Sequence, residues 1–225
     1  MIYFIELNDA DNFNEYAHCL KLVPPAKQTQ ILNFKFDIDK RLSLISDLFV
    51  RYAACRSLAL NNSELYFATN AYGKPFLSGS ASFHYNISHT RNAIAIGFSN
   101  RPIGVDIEKI KPVDFRIANR FFNPNEFMYI TKQPEQHDAR FCEIWTKKEA
   151  YIKWVGKGLS LPLNGFDVTD RTLAKTLHTF KLNNYVISLC CEVNFNRTNI
   201  INLNERQASE VLFEFVNSSY KAGGN

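Results

Sequence analysis

The sequence predicts an α+β protein of two similar lobes, each a helix packed on a mainly antiparallel sheet. Two segments, 39–60 and 139–158, carry apolar residues at helical spacing, and short alternating runs surround each of them. The order along the chain is strand, helix, strands, then helices, then strands. That order divides the chain near residue 104, into a lobe of residues 1–103 and a lobe of residues 104–225.

The elements follow in turn. Residues 2–7, IYFIEL, read as a short strand. In 39–60, Leu42, Ile45, Leu48, Phe49, Tyr52 and Ala53 recur at the period of a long helix packed on one side. The turn NAYGKPFLSGS at 70–80 sets Lys74 between Gly73 and Pro75. FHYNIS, AIAIGFS and PIGVDIEKI, joined by short polar connections, predict an antiparallel meander over 83–110. Asn123-Pro124-Asn125-Glu126 has the cap, proline and carboxylate of a helix start. The helix over 139–158 ends at Gly156 or Gly158. LHTFKL, YVISLCCEV and VLFEFV predict further strands near the end of the chain.

Composition narrows the function. Of 225 residues, 46% are hydrophobic and 14% aromatic, with 19 Phe and 10 Tyr, which suits a large core and argues against disorder. Net charge is +4 and spread along the chain, so nothing asks for nucleic acid. The opening MIYFIEL lacks the basic region of a signal peptide, and no apolar run approaches the roughly 20 residues of a membrane span. Five cysteines without a C-x-x-C point to thiols in a reducing cytoplasm rather than disulfides or zinc.

Strand alternation puts Ile103, Val105 and Ile107 on one face of PIGVDIEKI and Asp106 and Glu108 on the other. Two carboxylates so placed repel unless a cation sits between them, and oxygen ligands favour Mg²⁺, with Mn²⁺ as the alternative. A solvated strand face would carry the same acids. On the second helix, Glu149 and Lys153 stack at i,i+4, which is either a simple salt bridge or a third carboxylate beside a phosphate contact. Lys147, Lys148 and Lys157 surround Glu149 in sequence, and these neighbouring lysines are expected to serve phosphates. His89 in NISHT and Lys74 in YGKP are anion-binding types on turns, or ordinary turn residues.

Together, YGKP at 72–75, FHYNISHT at 83–90, IGVDIEKI at 103–110 and FCEIWTKKEAYIKWVGKGLSLPL at 141–163 resemble the Sfp-type 4′-phosphopantetheinyl transferases. The likeness runs from about residue 20 to 168, in the family's order, and includes W-x-x-K-E followed by K-x-x-G-K-G. It implies a cytoplasmic two-lobed monomer that binds coenzyme A and Mg²⁺ between the lobes. Such an enzyme moves the 4′-phosphopantetheine arm onto a serine of an apo acyl or peptidyl carrier protein and releases 3′,5′-ADP. By motif match, Asp106, Glu108 and Glu149 hold the metal, with Glu149 the candidate base, and Lys153 meets the pyrophosphate. Lys74, Ser88 and His89 grip coenzyme A, Ser43 matches a hydroxyl position, and Lys27 fits a basic position for the 3′-phosphate. The segment KQTQILNFKF departs from the family's basic composition, which turns attention to Lys35 or Arg41 for that phosphate. A carrier surface near 119–127 is suggested by Phe121–Phe122, which core packing explains equally. Two other readings fit the acids: a metal-dependent phosphodiesterase or nuclease, and a non-catalytic binder of coenzyme A or carrier protein.

Overall fold

The computed structural model describes residues 1–8 and 12–221. Strand β1 (Ile2–Glu6) leads into a 3₁₀ segment, Phe13–Leu22, and helices α1 (Pro25–Leu32) and α2 (Asp37–Leu58). A small ribbon, β2 (Phe67–Thr69) and β3 (Pro75–Leu77), precedes the hairpin of β4 (His84–Thr90) and β5 (Ala93–Ser99). Next come β6 (Ile103–Lys109), α3 (Arg116–Phe121), α4 (Pro124–Thr131) and α5 (His137–Val155). The last elements are α6 (Arg171–Ala174), β7 (Leu177–Leu182), β8 (Tyr185–Cys191), β9 (Ile200–Asn204) and α7 (Glu205–Lys221). No helix among the described residues is long and apolar enough to cross a membrane.

Two main sheets result. The first runs β4-β5-β1-β9, antiparallel except for the β1–β9 pair, and the second runs β6-β8-β7, antiparallel throughout. Alternate residues of β1 divide between two cores. Tyr3 and Ile5 join the α2 core, with the Tyr3 and Phe49 rings 5.2 Å apart. Ile2 and Phe4 face Val105, Ile187 and Leu189 of the second sheet, with Phe4 and Tyr185 rings 5.5 Å apart. On the far face of that sheet, Cys190 packs with Ile144 and Ala150 of α5. The layers are therefore helix, sheet, sheet, helix. Strands buried on both faces read as the continuous apolar run seen in AIAIGF.

The α+β class with a helix on each sheet stands, and two local expectations are corrected. β6 does not continue the hairpin of β4 and β5 but pairs with β8. Pro102 offers no backbone donor there, and the Val105 amide is taken by the Asn86 side chain at 2.8 Å. VLFEFV belongs to α7, because Ala208, Leu212, Phe215 and Val216 recur at helical spacing over a longer window than six residues. Asn204 and Gln207 exchange backbone–side-chain bonds at 3.0 Å that start this helix. β9, the 3₁₀ segment and α1 had no clear signal. The second helix ends at Gly156, which is left-handed at φ +72°. All five cysteines are free.

The proposed division at 103/104 falls at the start of β6, after its first residue, Ile103. β9 and α7 cross it back to the first sheet, and a buried ion pair fastens them there. Arg41 of α2 donates to Glu205 Oε1 at 2.7 Å and to the Asn8 carbonyl at 2.8 Å. Tyr16 Oη and the Asn8 amide also donate to Glu205, at 3.0 and 2.7 Å. Arg41, 1% exposed, is thus turned inward and does not supply the 3′-phosphate contact considered from the sequence. Replacing Glu205 with Gln keeps the shape and removes the charge from these bonds, a loss of about 1.5–3 kcal/mol. Calorimetry is expected to show a Tm lowered by roughly 3–12 °C; an unchanged Tm would mean the clasp contributes nothing.

Candidate functional site

The site lies where α5 rests on β6. Gly104, Asp106 and Glu108 share the strand face turned to α5, while Ile103, Val105 and Ile107 fill the core between the sheets. Gly104 is what permits the approach: a Cβ there would stand 2.0 Å from the Ala150 carbonyl oxygen and 2.4 Å from the Trp154 amide nitrogen. With no side chain in the way, α5 brings Glu149 and Lys153 over the two acids.

Asp106 is buried, and its Oδ1 accepts from Ser88 Oγ at 2.7 Å and from Lys153 Nζ at 2.7 Å. Lys153 also reaches Ser88 Oγ at 3.0 Å. The other oxygen, Oδ2, is buried with no hydrogen-bond partner. Burial pushes the Asp106 carboxyl above the ordinary carboxylate range, against the pull of the Lys153 ammonium. Glu108 and Glu149 are half-buried and shifted the same way, first by burial and then by the charge of Asp106. Glu149 adds to the shift of Glu108. Three carboxylates that feel one another, one of them with an orphaned buried oxygen, have the chemistry of a hard-cation site. As they stand they do not converge: among the described residues, no group of three or more His, Cys, Asp or Glu side chains lies close enough to hold a metal ion. Lys153 balances Asp106 instead.

The wall opposite is β4. Asn86 and Ser88, two residues apart, both turn toward β6, the first to the Val105 amide and the second to Asp106. Asn86 escaped the sequence reading, although the i,i+2 relation to Ser88 was its signal. His89 points the other way and remains in contact with solvent. Loss of part of its hydration, then the Lys153 ammonium, lower its imidazole pKa, while Asp39 of α2 opposes them. Ser43 is half-buried one turn beyond Asp39 on the same side of α2. Lys27 is half-buried on α1, and among the described residues no ion pair or hydrogen bond holds its ammonium. Lys35 is exposed, its ammonium 5.3 Å from the Phe36 ring.

The lysines divide in a way the sequence reading did not anticipate. Lys74 directs its ammonium to three backbone carbonyls, those of Ile103, Lys153 and Trp154. Lys147 pairs with Glu143 at 2.6 Å along the helix. Lys148 is wholly buried on Glu126 at 2.8 Å and donates to the carbonyls of Leu163 and Phe166 at 2.6 and 2.8 Å. It braces the loop after α5 and cannot serve a phosphate, which corrects the expectation for the lysines beside Glu149. The physical reason is rotation: Lys148 lies about 100° around the helix from Glu149, whereas Lys153 is one turn along on the same face. Phe121 and Phe122 also part, the first 41% exposed and the second buried against Phe141.

Comparison with known proteins identifies the family. Residues 102–208 match the model of the 4′-phosphopantetheinyl transferase superfamily, and residues 11–99 match that of the 4′-phosphopantetheinyl transferase N-terminal region. The 4′-phosphopantetheinyl transferase Sfp of Bacillus subtilis (strain 168) is 35% identical over 168 residues, 74% of this chain and 75% of that protein. The 4′-phosphopantetheinyl transferase gsp of Aneurinibacillus migulanus is 31% identical over 215 residues, covering 90% of each. The L-aminoadipate-semialdehyde dehydrogenase-phosphopantetheinyl transferase of Candida glabrata is 28% identical over 193 residues, 80% of this chain and 73% of that protein.

Proposed function

The chain belongs to the 4′-phosphopantetheinyl transferase superfamily and is an enzyme of that class, and we propose that it moves the 4′-phosphopantetheine arm of coenzyme A onto a serine hydroxyl of an apo acyl or peptidyl carrier protein, releasing 3′,5′-ADP. The observation that carries this reading is the pairing of Asp106 with Lys153 and Ser88 beneath Glu149. It sets an acid able to hold a cation beside an ammonium able to meet a phosphate.

In the proposed reaction the serine Oγ attacks the phosphorus that bears the pantetheine arm. An Oγ–P bond forms as the bond from that phosphorus to the 3′,5′-ADP oxygen breaks, and ADP departs with the electron pair. The serine proton passes to Glu149 and then to solvent. Lys153 neutralises charge on the pyrophosphate from a fixed position. Asp106, Glu108 and Glu149 are the residues that would hold Mg²⁺, or Mn²⁺, and the bound ion would supply Lewis-acid neutralisation of the pyrophosphate. Coenzyme A is gripped by Lys27, Ser43, Ser88, His89 and Lys153, with Lys27 directed at the 3′-phosphate. The enzyme works as a cytoplasmic monomer, on neither nucleic acid nor membrane.

Intact-mass spectrometry of an apo carrier protein incubated with this enzyme, coenzyme A and Mg²⁺ tests the reading. A gain of one phosphopantetheine, abolished by EDTA, is the expected result. Coenzyme A binding without any gain on several unrelated carriers would mean a non-catalytic binder; phosphate release from simple esters would mean a hydrolase. Lys27→Ala is expected to weaken coenzyme A binding roughly tenfold, about 1.4 kcal/mol, with little change in turnover at saturation. Calorimetric titration checks it, and unchanged affinity would remove Lys27 from the site.

A further inference from the structure

We propose that Lys74 is a positioning residue: its ammonium, carried on a turn of the first lobe, caps the C-terminus of α5 and holds Glu149 and Lys153 against β6. The proposal rests on the transferase reading for the importance of those two residues, but the cap itself stands on geometry.

The last carbonyls of a helix have no partner within it and attract cations. At the end of α5, Lys74 Nζ donates to the Lys153 carbonyl at 2.5 Å and to that of Trp154 at 3.3 Å. A third bond, at 2.9 Å, goes to the Ile103 carbonyl on β6, one residue before Gly104. One ammonium thus ties strand and helix together at their closest approach. A lysine has three N–H donors, and three carbonyls accept them, so none is left for a phosphate of coenzyme A.

The same turn supplies a second contact. Asn70 Nδ2 donates to the Gly156 carbonyl at 3.0 Å, and Asn70 Oδ1 accepts from the amides of Tyr72 and Lys74 at 2.9 Å each. The Asn70 amide donates to the Lys74 carbonyl at 2.9 Å, so the turn is shaped before it meets the helix. Gly156 completes the seat: a Cβ on it would lie 3.0 Å from Lys74 Cδ. Burial draws the Lys74 pKa down to about 8, which leaves the ammonium the main form at neutral pH.

The test compares Lys74→Met, which keeps the length and loses the donors, with Lys74→Arg and Asn70→Ala. Each is assayed for kcat and KM on an apo carrier protein, for coenzyme A affinity by calorimetry, and for amide exchange at residues 153–156. Lys74→Met is expected to lower kcat by roughly 10–100-fold, the scale of a small misplacement of catalytic groups. Its coenzyme A affinity is expected to stay within about twofold, and exchange at 153–156 to rise. Arginine should restore most of kcat. A coenzyme A affinity lowered tenfold or more with kcat unchanged would make Lys74 a ligand contact and overturn the proposal, as would no change in any readout. If Lys74→Met does not fold, Asn70→Ala is expected to show the same split at smaller size. If the wild type transfers nothing, the transferase reading fails while amide exchange still decides the cap.

Discussion

Asp106→Ala is expected to lower transfer to a carrier serine by on the order of 10³-fold or more, and Glu149→Ala by a similar factor. Neutralising the pyrophosphate is worth several kcal/mol, and each 1.36 kcal/mol is a factor of ten in rate. Asp106 is central because one of its oxygens holds both Lys153 and Ser88 while the other is buried without a partner. Its loss removes a proposed ligand and the anchor of the lysine together. Asp106→Asn separates these roles, since the amide keeps the shape without the charge. It is expected to be as inactive as alanine and to lose the activation by added Mg²⁺. Neither change should unfold the protein: a carboxyl held above its ordinary pKa by burial is a site where stability yields to function. Thermal melting beside a Mg²⁺ titration of activity checks both parts. Wild-type turnover by Asp106→Ala in Mg²⁺ would sink the assignment.

Gly104→Ala is expected to lower kcat by about 100-fold and Tm by roughly 2–12 °C, although Gly104 touches no substrate. The added methyl would meet the Ala150 oxygen at 2.0 Å, the Trp154 nitrogen at 2.4 Å and the Lys153 carbonyl carbon at 3.0 Å, against 3.4 Å or more in ordinary contact. All three are backbone atoms, so no side-chain rotation relieves the clash. The helix must retreat by more than an ångström and takes Glu149 and Lys153 with it. A displacement of that size can cost about 10²-fold. Overpacking of this kind costs about 1–3 kcal/mol, or 2–4 °C per kcal/mol for a chain of this length. Full activity with an unchanged Tm would show that α5 can move off β6 without consequence. Loss of Tm alone would show that the spacing serves stability and not the site.

Much of the site was legible because it is built on short-range rules. Asp106 and Glu108 are two residues apart on a strand, and Glu149 and Lys153 four apart on a helix; both relations fix a shared face without further information. The same helical geometry turns Lys148, adjacent to Glu149 in sequence, about 100° away from it. Gly104 carried no such signal. A glycine in a strand says that something comes close, not that α5 is what comes. VLFEFV misled for a different reason: six apolar-rich residues suit either period, and only the spacing from Ala208 onward distinguishes them.

What the sequence by itself determined was the α+β class with a helix on each sheet, the family, and the candidate acids with their faces. Periodicity and motif spacing are properties of neighbouring residues, so they survive without coordinates. Tertiary structure alone decided that β6 leaves the first sheet for β8, and that Arg41 turns inward to Glu205, 164 residues away. It also decided that the Lys74 ammonium ends on α5, 79 residues away, rather than in open solvent. A long cationic side chain can reach many partners. Which one it takes depends on where distant backbone carbonyls and carboxylates are left unpaired by the packing of the whole chain.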